Sequence, residues 1–219
     1  MGKGNKKPWS TKAVMRQIYE LGLWGSGSSE FYSGNGSRDP KLVSPYIKVV
    51  REFLETFEEP ISICDLGCGD FNIGQQLIEF TEAYFAVDIV PELISHLKSK
   101  FNDSNLEFFC LDIAKDQLPK ADCAILRQVL QHLSNDEIIE ITEKLDQYQF
   151  VLLTEHIPNS DFVANNDIIS GQGIRLKKQS GVDLLESPFN LKIKSKRTLL
   201  SIPLEANQGK IETVLYKLS

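Results

Sequence analysis

Apolar positions along the chain fall into two regimes. Val14, Ile18 and Leu21 recur at i, i+4 and i+7 behind the capping candidates Ser10 and Thr11, and predict a helix over 10–22. A second helix is predicted from Ser44, with Pro45 in its first turn and Ile47, Val50, Leu54 and Phe57 as its stripe. Between them, nine of the thirteen residues from Gly25 to Ser37 are Gly or Ser, which predicts a loop. From Pro60 onward short apolar runs alternate with amphipathic stretches. Strands are predicted at Ile61–Leu66, Tyr84–Val87, Leu106–Leu111, Ala121–Leu126 and Phe150–Leu153. The helices between them carry Ile73, Leu77 and Phe80, then Leu93, Leu97 and Phe101, then Ile138, Ile141 and Leu145. The last is opened by a capping box of Ser134 and Glu137. This rhythm predicts βαβ units and a parallel sheet with helices on both faces. The tail departs from it: Leu199–Leu204 and Ile211–Leu218 flank Asn207-Gln208-Gly209 and predict an antiparallel pair at the sheet edge.

Composition narrows the function. The chain has 219 residues, 42% hydrophobic and 25% charged, as expected of a globular protein of one domain. Lys and Arg number 24 against 30 Asp and Glu, a net charge of −6, which makes nucleic acid an unfavoured partner. No apolar run approaches the roughly 18 residues that span a bilayer, so no membrane partner is expected. The basic start MGKGNKKPWS lacks the apolar stretch of a secretory signal, and Lys6 stands where a myristoylation signal has Ser or Thr. Cys64, Cys68, Cys110 and Cys123 form no C-x-x-C pair and read as free thiols in a reducing cytoplasm. With three histidines and no paired Cys/His spacing, no metal site is expected.

The strongest chemical signal is Asp65-Leu66-Gly67-Cys68-Gly69-Asp70, between the first predicted strand and the helix after it. Glycines there let the backbone turn tightly and approach a ligand with no Cβ in the way. Ligands of open α/β sheets bind beyond the carboxyl ends of the strands, where the strand order reverses. Asp88 ends the second strand, 23 residues after Asp65, and an acid there accepts hydrogen bonds from two ribose hydroxyls. Asp112 ends the third strand, where an acid can accept the exocyclic amine of adenine. Two acids at neighbouring strand ends suit a nucleoside without phosphates. A dinucleotide fits less well, because its fingerprint needs a third glycine where Asn72 stands.

Residues 61–74 (ISICDLGCGDFNIG), Asp88, Asp112 and ADCAILRQVLQHL at 121–133 together resemble the class I S-adenosylmethionine-dependent methyltransferases over residues 60–155. The flanks are similar to a bacterial small-molecule subgroup, in Trp24–Gly27 and in Asn165-Asn166-Asp167-Ile168, Gly171 and Arg175. One departure is Phe71, where the common glycine pattern has its last Gly. The resemblance implies a Rossmann-like α/β fold with a seven-stranded, mostly parallel sheet over 59–219. An N-terminal helical cap and Gly/Ser-rich lid occupy 1–58. It implies S-adenosyl-L-methionine as cofactor, with Asp65, Gly67, Cys68 and Gly69 at its methionine part. Asp88 would hold the ribose, Ile89, Asp112 and Ile113 the adenine, and Arg127 and Gln128 would lie near the sulfonium.

The reading is methyl transfer to a small, anionic or carbohydrate-like acceptor, with oxygen favoured. Its rivals are a nucleic-acid (RNA) methyltransferase and a non-catalytic cofactor-binding partner subunit, and it leaves room for a homodimer. A hydroxyl acceptor needs a proton removed, whereas a phosphate or carboxylate does not. His156, after the fifth strand, and His132, after the fourth, are the candidate bases. His96 reads as a surface residue. Residues 175–197 hold seven basic side chains, Arg175 among them, against Asp183 and Glu186, which hints at an anionic substrate. Arg175 is therefore expected to meet the acceptor, and Gly25–Ser37 to close over the site.

Overall fold

A computed structural model of the chain describes residues 9–25, 31–205 and 208–218. Seven strands form one sheet: β1 (Ile63–Leu66), β2 (Tyr84–Asp88), β3 (Leu106–Cys110), β4 (Cys123–Arg127), β5 (Phe150–Ile157), β6 (Ser195–Pro203) and β7 (Lys210–Lys217). Their order is β3-β2-β1-β4-β5-β7-β6. The first five run parallel, and β7 runs antiparallel between β5 and β6. The order therefore reverses between β1 and β4, and β1 is buried along its whole length. This is the Rossmann-like sheet expected, closed at one edge by the antiparallel pair.

Helix α1 (Thr11–Glu20) is capped by the Ser10 side chain, which accepts the N–H of Ala13. It is shorter than the predicted 10–22, and it buries Met15 and Ile18. Helix α2 (Pro40–Leu54) starts four residues earlier than predicted. The Asp39 side chain caps it by accepting the N–H of Lys41, and Pro40 takes the first-turn position where a missing N–H costs nothing. Helix α3 (Pro91–Lys100) follows β2, and α4 (Asn135–Leu145) opens on the predicted capping box. Both N-terminal helices join the core of the sheet, and Phe53 of α2 packs edge-on against Phe150 of β5 at 5.5 Å.

Two expectations are corrected. No α-helix follows β1; the segment winds as two 3-10 turns, Gly74–Gln76 and Ile78–Phe80. The cause is Phe71. Its backbone is left-handed (φ 60°), and its ring lies over bare Gly74, where a Cβ would come within 2.3 Å of Phe71 Cε2. The same ring meets Tyr84, Phe101 and Phe108 edge-on at 5.0–5.6 Å. An aromatic plug thus does the covering that a helix would do, and Ile73, Leu77 and Ile78 are still buried. Second, β5 continues to Ile157, four residues past the predicted end.

Sheet register also places the basic run of the tail. Ser195 and Phe150 both pair with Lys217, whereas Lys210 pairs with Ile157. Lys194, Lys196 and Arg197 therefore lie beside the start of β5, at the opposite end of the sheet from Asp88 and Arg127. No helix among the described residues is long and apolar enough to cross a membrane.

Candidate functional site

Beyond the carboxyl ends of the parallel strands, at the point where their order reverses, lies a cavity of about 560 Å³. Its floor is the glycine bend after β1. Gly67 and Gly69 have φ of 90° and 55°, and Cβ atoms there would come within 2.5 Å of Val129 Cγ2 and 2.6 Å of Ser33 Oγ. Only glycine fits at either place. Asp65 beneath the bend accepts the Tyr84 hydroxyl at 2.9 Å. Burial pushes its carboxyl up to about 7, with the charge of Asp88 adding to the shift.

Asp88 ends β2 with one oxygen accepting the N–H of Gly69 at 3.2 Å and the other that of Val90 at 3.0 Å. Burial pushes it up to about 6, against the pull of these N–H groups. Asp112 sits further out. Its carboxylate accepts the N–H of Ala114 at 3.1 Å and pairs with Lys115 at 2.7 Å. The loop after it is held by the Lys144 ammonium, which donates to the carbonyls of Ile113 (3.2 Å), Ala114 (2.5 Å) and Asp116 (2.9 Å).

The roof comes from the Gly/Ser-rich segment, and Ser33, Gly34, Asn35, Gly36 and Ser37 line the cavity. Ser33 Oγ accepts the N–H of Asp70 at 2.8 Å and shares a hydrogen bond with the Tyr19 hydroxyl. Arg38 pairs with Asp70 at 2.8 Å, Asn72 donates to the Ser37 carbonyl at 2.6 Å, and Arg127 donates to that of Gly36 at 2.7 Å. Residues 26–30 of the predicted lid, Gly27 included, lie outside the described residues.

Asp65, Gly67, Cys68, Gly69, Asp88, Ile89, Asp112, Ile113, Arg127 and Gln128 all line this one cavity. The three predicted catalytic residues separate. His132 lines it beside Trp24, with ring centroids 5.3 Å apart. Its Nδ1 donates to the Gly171 carbonyl at 3.1 Å, and burial lowers its pKa to about 4, so the ring is neutral. His156 does not line the cavity; its Nε2 bonds the Gln208 carbonyl at 2.5 Å, under the β6–β7 hairpin. Arg175 does not line it either. It is 1% exposed and spends its donors on the carbonyls of Leu130 and Leu133 and on Asn135, so the expected anion contact is corrected to an internal one. Lys177 alone of the tail's basic run reaches the cavity wall. His96, expected at the surface, is half-buried with its ring on Phe31 at 5.3 Å.

The sequence reading missed Tyr19 on the cavity wall and Glu155 behind it, and held Trp24 and Ser33 only as parts of longer segments. Glu155 lies in the segment Thr154-Glu155-His156, where attention went to the histidine. Glu155 is buried within a strand covered on both faces, and burial pushes its carboxyl up to about 8.

Comparison with known proteins fits this geometry. Residues 63–148 match a methyltransferase domain. The methyltransferase match thus runs from β1 to just before β5 and contains the glycine bend, both strand-end acids and the post-β4 turn. A malonyl-[acyl-carrier protein] O-methyltransferase of Acetivibrio thermocellus is 32% identical over 106 residues, covering 43% of this chain and 38% of that protein. The matched region is thus well under half of that relative's length. Among solved structures, the N-methyltransferase NodS from Bradyrhizobium japonicum WM9, in complex with S-adenosyl-L-homocysteine, superposes with a TM-score of 0.66. It is 10% identical, over 94% of this chain and 100% of that one. Magnesium protoporphyrin IX methyltransferase from Synechocystis PCC 6803, with bound SAM, superposes at 0.59 with 14% identity, over 98% and 100%. At these identities the likeness is one of fold.

Proposed function

We propose that the chain is an S-adenosylmethionine-dependent methyltransferase that acts on a small polar acceptor, with oxygen as the favoured atom. The observation that carries this reading is the convergence of all ten expected cofactor residues on one cavity at the switch in strand order. The methyltransferase match over 63–148 supports it. The cofactor, when bound, supplies a methyl group already activated on a sulfonium.

The residues present fit such a group. Asp88 is ionised at neutral pH, because its pKa stands near 6, and in that form accepts from ribose hydroxyls. Ile89 and Ile113 give the apolar walls that a purine ring needs, and Asp112 stands at its edge. Gly67 and Gly69 leave room for the amino-acid part. Arg127 and Gln128 are assigned to the sulfonium end. The acceptor side is assigned to Trp24, Gln131, His132 and Lys177, an indole, an amide, a neutral imidazole and one exposed cation. That set suits an anionic or carbohydrate-like acceptor. His132 stays neutral down to about pH 4, and with its ring nitrogens bonded to Gly171 and Gln131 it shapes the acceptor side rather than storing a proton. Holding the acceptor in line can supply up to about 7–11 kcal/mol of barrier reduction.

The test is a thermal-shift titration with S-adenosylhomocysteine and, separately, NAD. A rise in melting temperature with the first alone is expected. Indifference to it with a response to NAD overturns the reading. Incubation with methyl-labelled cofactor and a panel of carboxylates, sugar phosphates and neutral sugars then identifies the acceptor by transferred label.

A further inference from the structure

Gln131 and His132 reach the cavity from a short turn, residues 130–133, that is gripped from behind. Glu155, 3% exposed, accepts the N–H of Leu130 on one carboxylate oxygen and that of Gln131 on the other, each at 3.0 Å. Arg175, 1% exposed, donates to the carbonyl of Leu130 at 3.0 Å and that of Leu133 at 2.7 Å. It anchors itself on Asn135 Oδ1 at 2.7 Å. One carboxyl group thus takes the donors at the start of the turn, and one guanidinium takes the acceptors at its two ends. Neither side chain lines the cavity. Apolar residues would fill this volume with less desolvation cost, but they could not satisfy two N–H groups and two carbonyls.

The turn's side chains are fixed in sequence. The N–H of His156 donates to Gln131 Oε1 at 3.2 Å, the Gln131 amide meets His132 Nε2 at 3.2 Å, and His132 Nδ1 meets the Gly171 carbonyl at 3.1 Å. Main-chain groups end the chain on both sides, so its polarity is determined. Gly171 O can only accept, so Nδ1 carries the hydrogen. Nε2 is then the acceptor, and the Gln131 amide nitrogen donates to it. The Gly171 N–H closes the loop on the His132 carbonyl at 2.9 Å.

We propose that Glu155 and Arg175 are positioning residues: together they clamp the 130–133 turn so that His132 is fixed in the acceptor-side wall as one tautomer with Gln131 locked beside it. Naming the acceptor rests on the methyl-transfer reading; the clamp itself does not. The two side chains act on the backbone, and the backbone sets the side chains of the turn.

The experiment uses the full chain with 15N-labelled histidine, as wild type, Glu155→Gln and Arg175→Lys, with His132→Asn to assign the ring signals. Wild type is expected to show His132 with hydrogen on Nδ1 alone and slow amide exchange at Leu130 and Gln131. In Glu155→Gln, exchange at those two amides rises about tenfold or more, and His132 becomes a mixture of tautomers. Arg175→Lys, which still donates but from a single point, gives a smaller change in the same direction and serves where Glu155→Gln does not fold. S-adenosylhomocysteine binding, measured by calorimetry, is retained in both variants. Unchanged exchange and an unchanged tautomer in the variants overturn the clamp. So does loss of S-adenosylhomocysteine binding alongside the tautomer change, because the pair would then support the whole cavity rather than this turn. Failure of the wild type to bind S-adenosylhomocysteine strikes the methyl-transfer reading and leaves the clamp to be decided by the ring signals.

Discussion

Asp88 holds the backbone on two sides and lines the cavity with one side chain. Its oxygens hold the glycine bend through Gly69 and the start of α3 through Val90, and they face the cavity. Asp88→Ala is expected to weaken S-adenosylhomocysteine binding by about 10–100-fold, the range for losing hydrogen bonds to a charged group. Calorimetry measures this, with circular dichroism to check the fold. Gly69→Ala puts a Cβ against Ser33 at a positive φ, and melting curves should show a loss of about 1 kcal/mol or more. These positions were legible because strand-end acids and glycine bends carry local sequence signals. Arg175 and His156 were misplaced because charge and titratability do not reveal which way a side chain points. Ending β5 at Leu153 also left Thr154-Glu155-His156 outside a strand that is buried on both faces.

Among the elements, the strands were legible as short apolar runs, and α4 announced itself by its capping box. The stretch after β1 was not, since Ile73, Leu77 and Phe80 have the same spacing whether the chain winds as an α-helix or as successive 3-10 turns. The deciding residue, Phe71, acts through contacts with Tyr84, Phe101 and Phe108 that no local pattern displays. The loop after β3 owes its shape to a similarly remote group, Lys144 on α4, whose ammonium bonds three of its carbonyls. Lys144→Met keeps the aliphatic stem and removes those bonds. The expected result is a lower melting temperature and an affinity for S-adenosylhomocysteine reduced by about tenfold, from roughly 1–2 kcal/mol of lost interaction.

For the molecule as a whole, the buried ionisable groups set the pH dependence of stability. Glu155 at about 8, Asp65 at about 7 and Asp88 at about 6 are raised by burial, so the folded state holds protons that the unfolded chain releases, and stability falls as pH rises from about 4 up to those values. His132 at about 4 is depressed from its ordinary 6.5, so its own contribution falls as pH drops below 6.5. Between about pH 4.5 and 6 the three raised carboxyls outweigh the one depressed imidazole, so the unliganded protein is expected to melt progressively lower as pH is raised from about 4.5 to 8. Glu155→Gln should remove most of the decline above pH 7 in a series of melting curves. The sheet order was legible as a class from the βαβ rhythm and the family resemblance. The distance between the basic tail and the cavity was not, because it follows from the register of β6 and β7, which pairs Ser195 with Lys217.

The Arg38–Asp70 pair that ties the roof to the glycine bend has its arginine side chain 35% exposed and its carboxylate almost dry. Counter-ions reach such a pair from one side only, so added salt loosens it without flooding the pocket. Cofactor departure should therefore quicken as ionic strength is raised, and a stopped-flow measurement of S-adenosylhomocysteine release in dilute and concentrated sodium chloride reads that residence time directly.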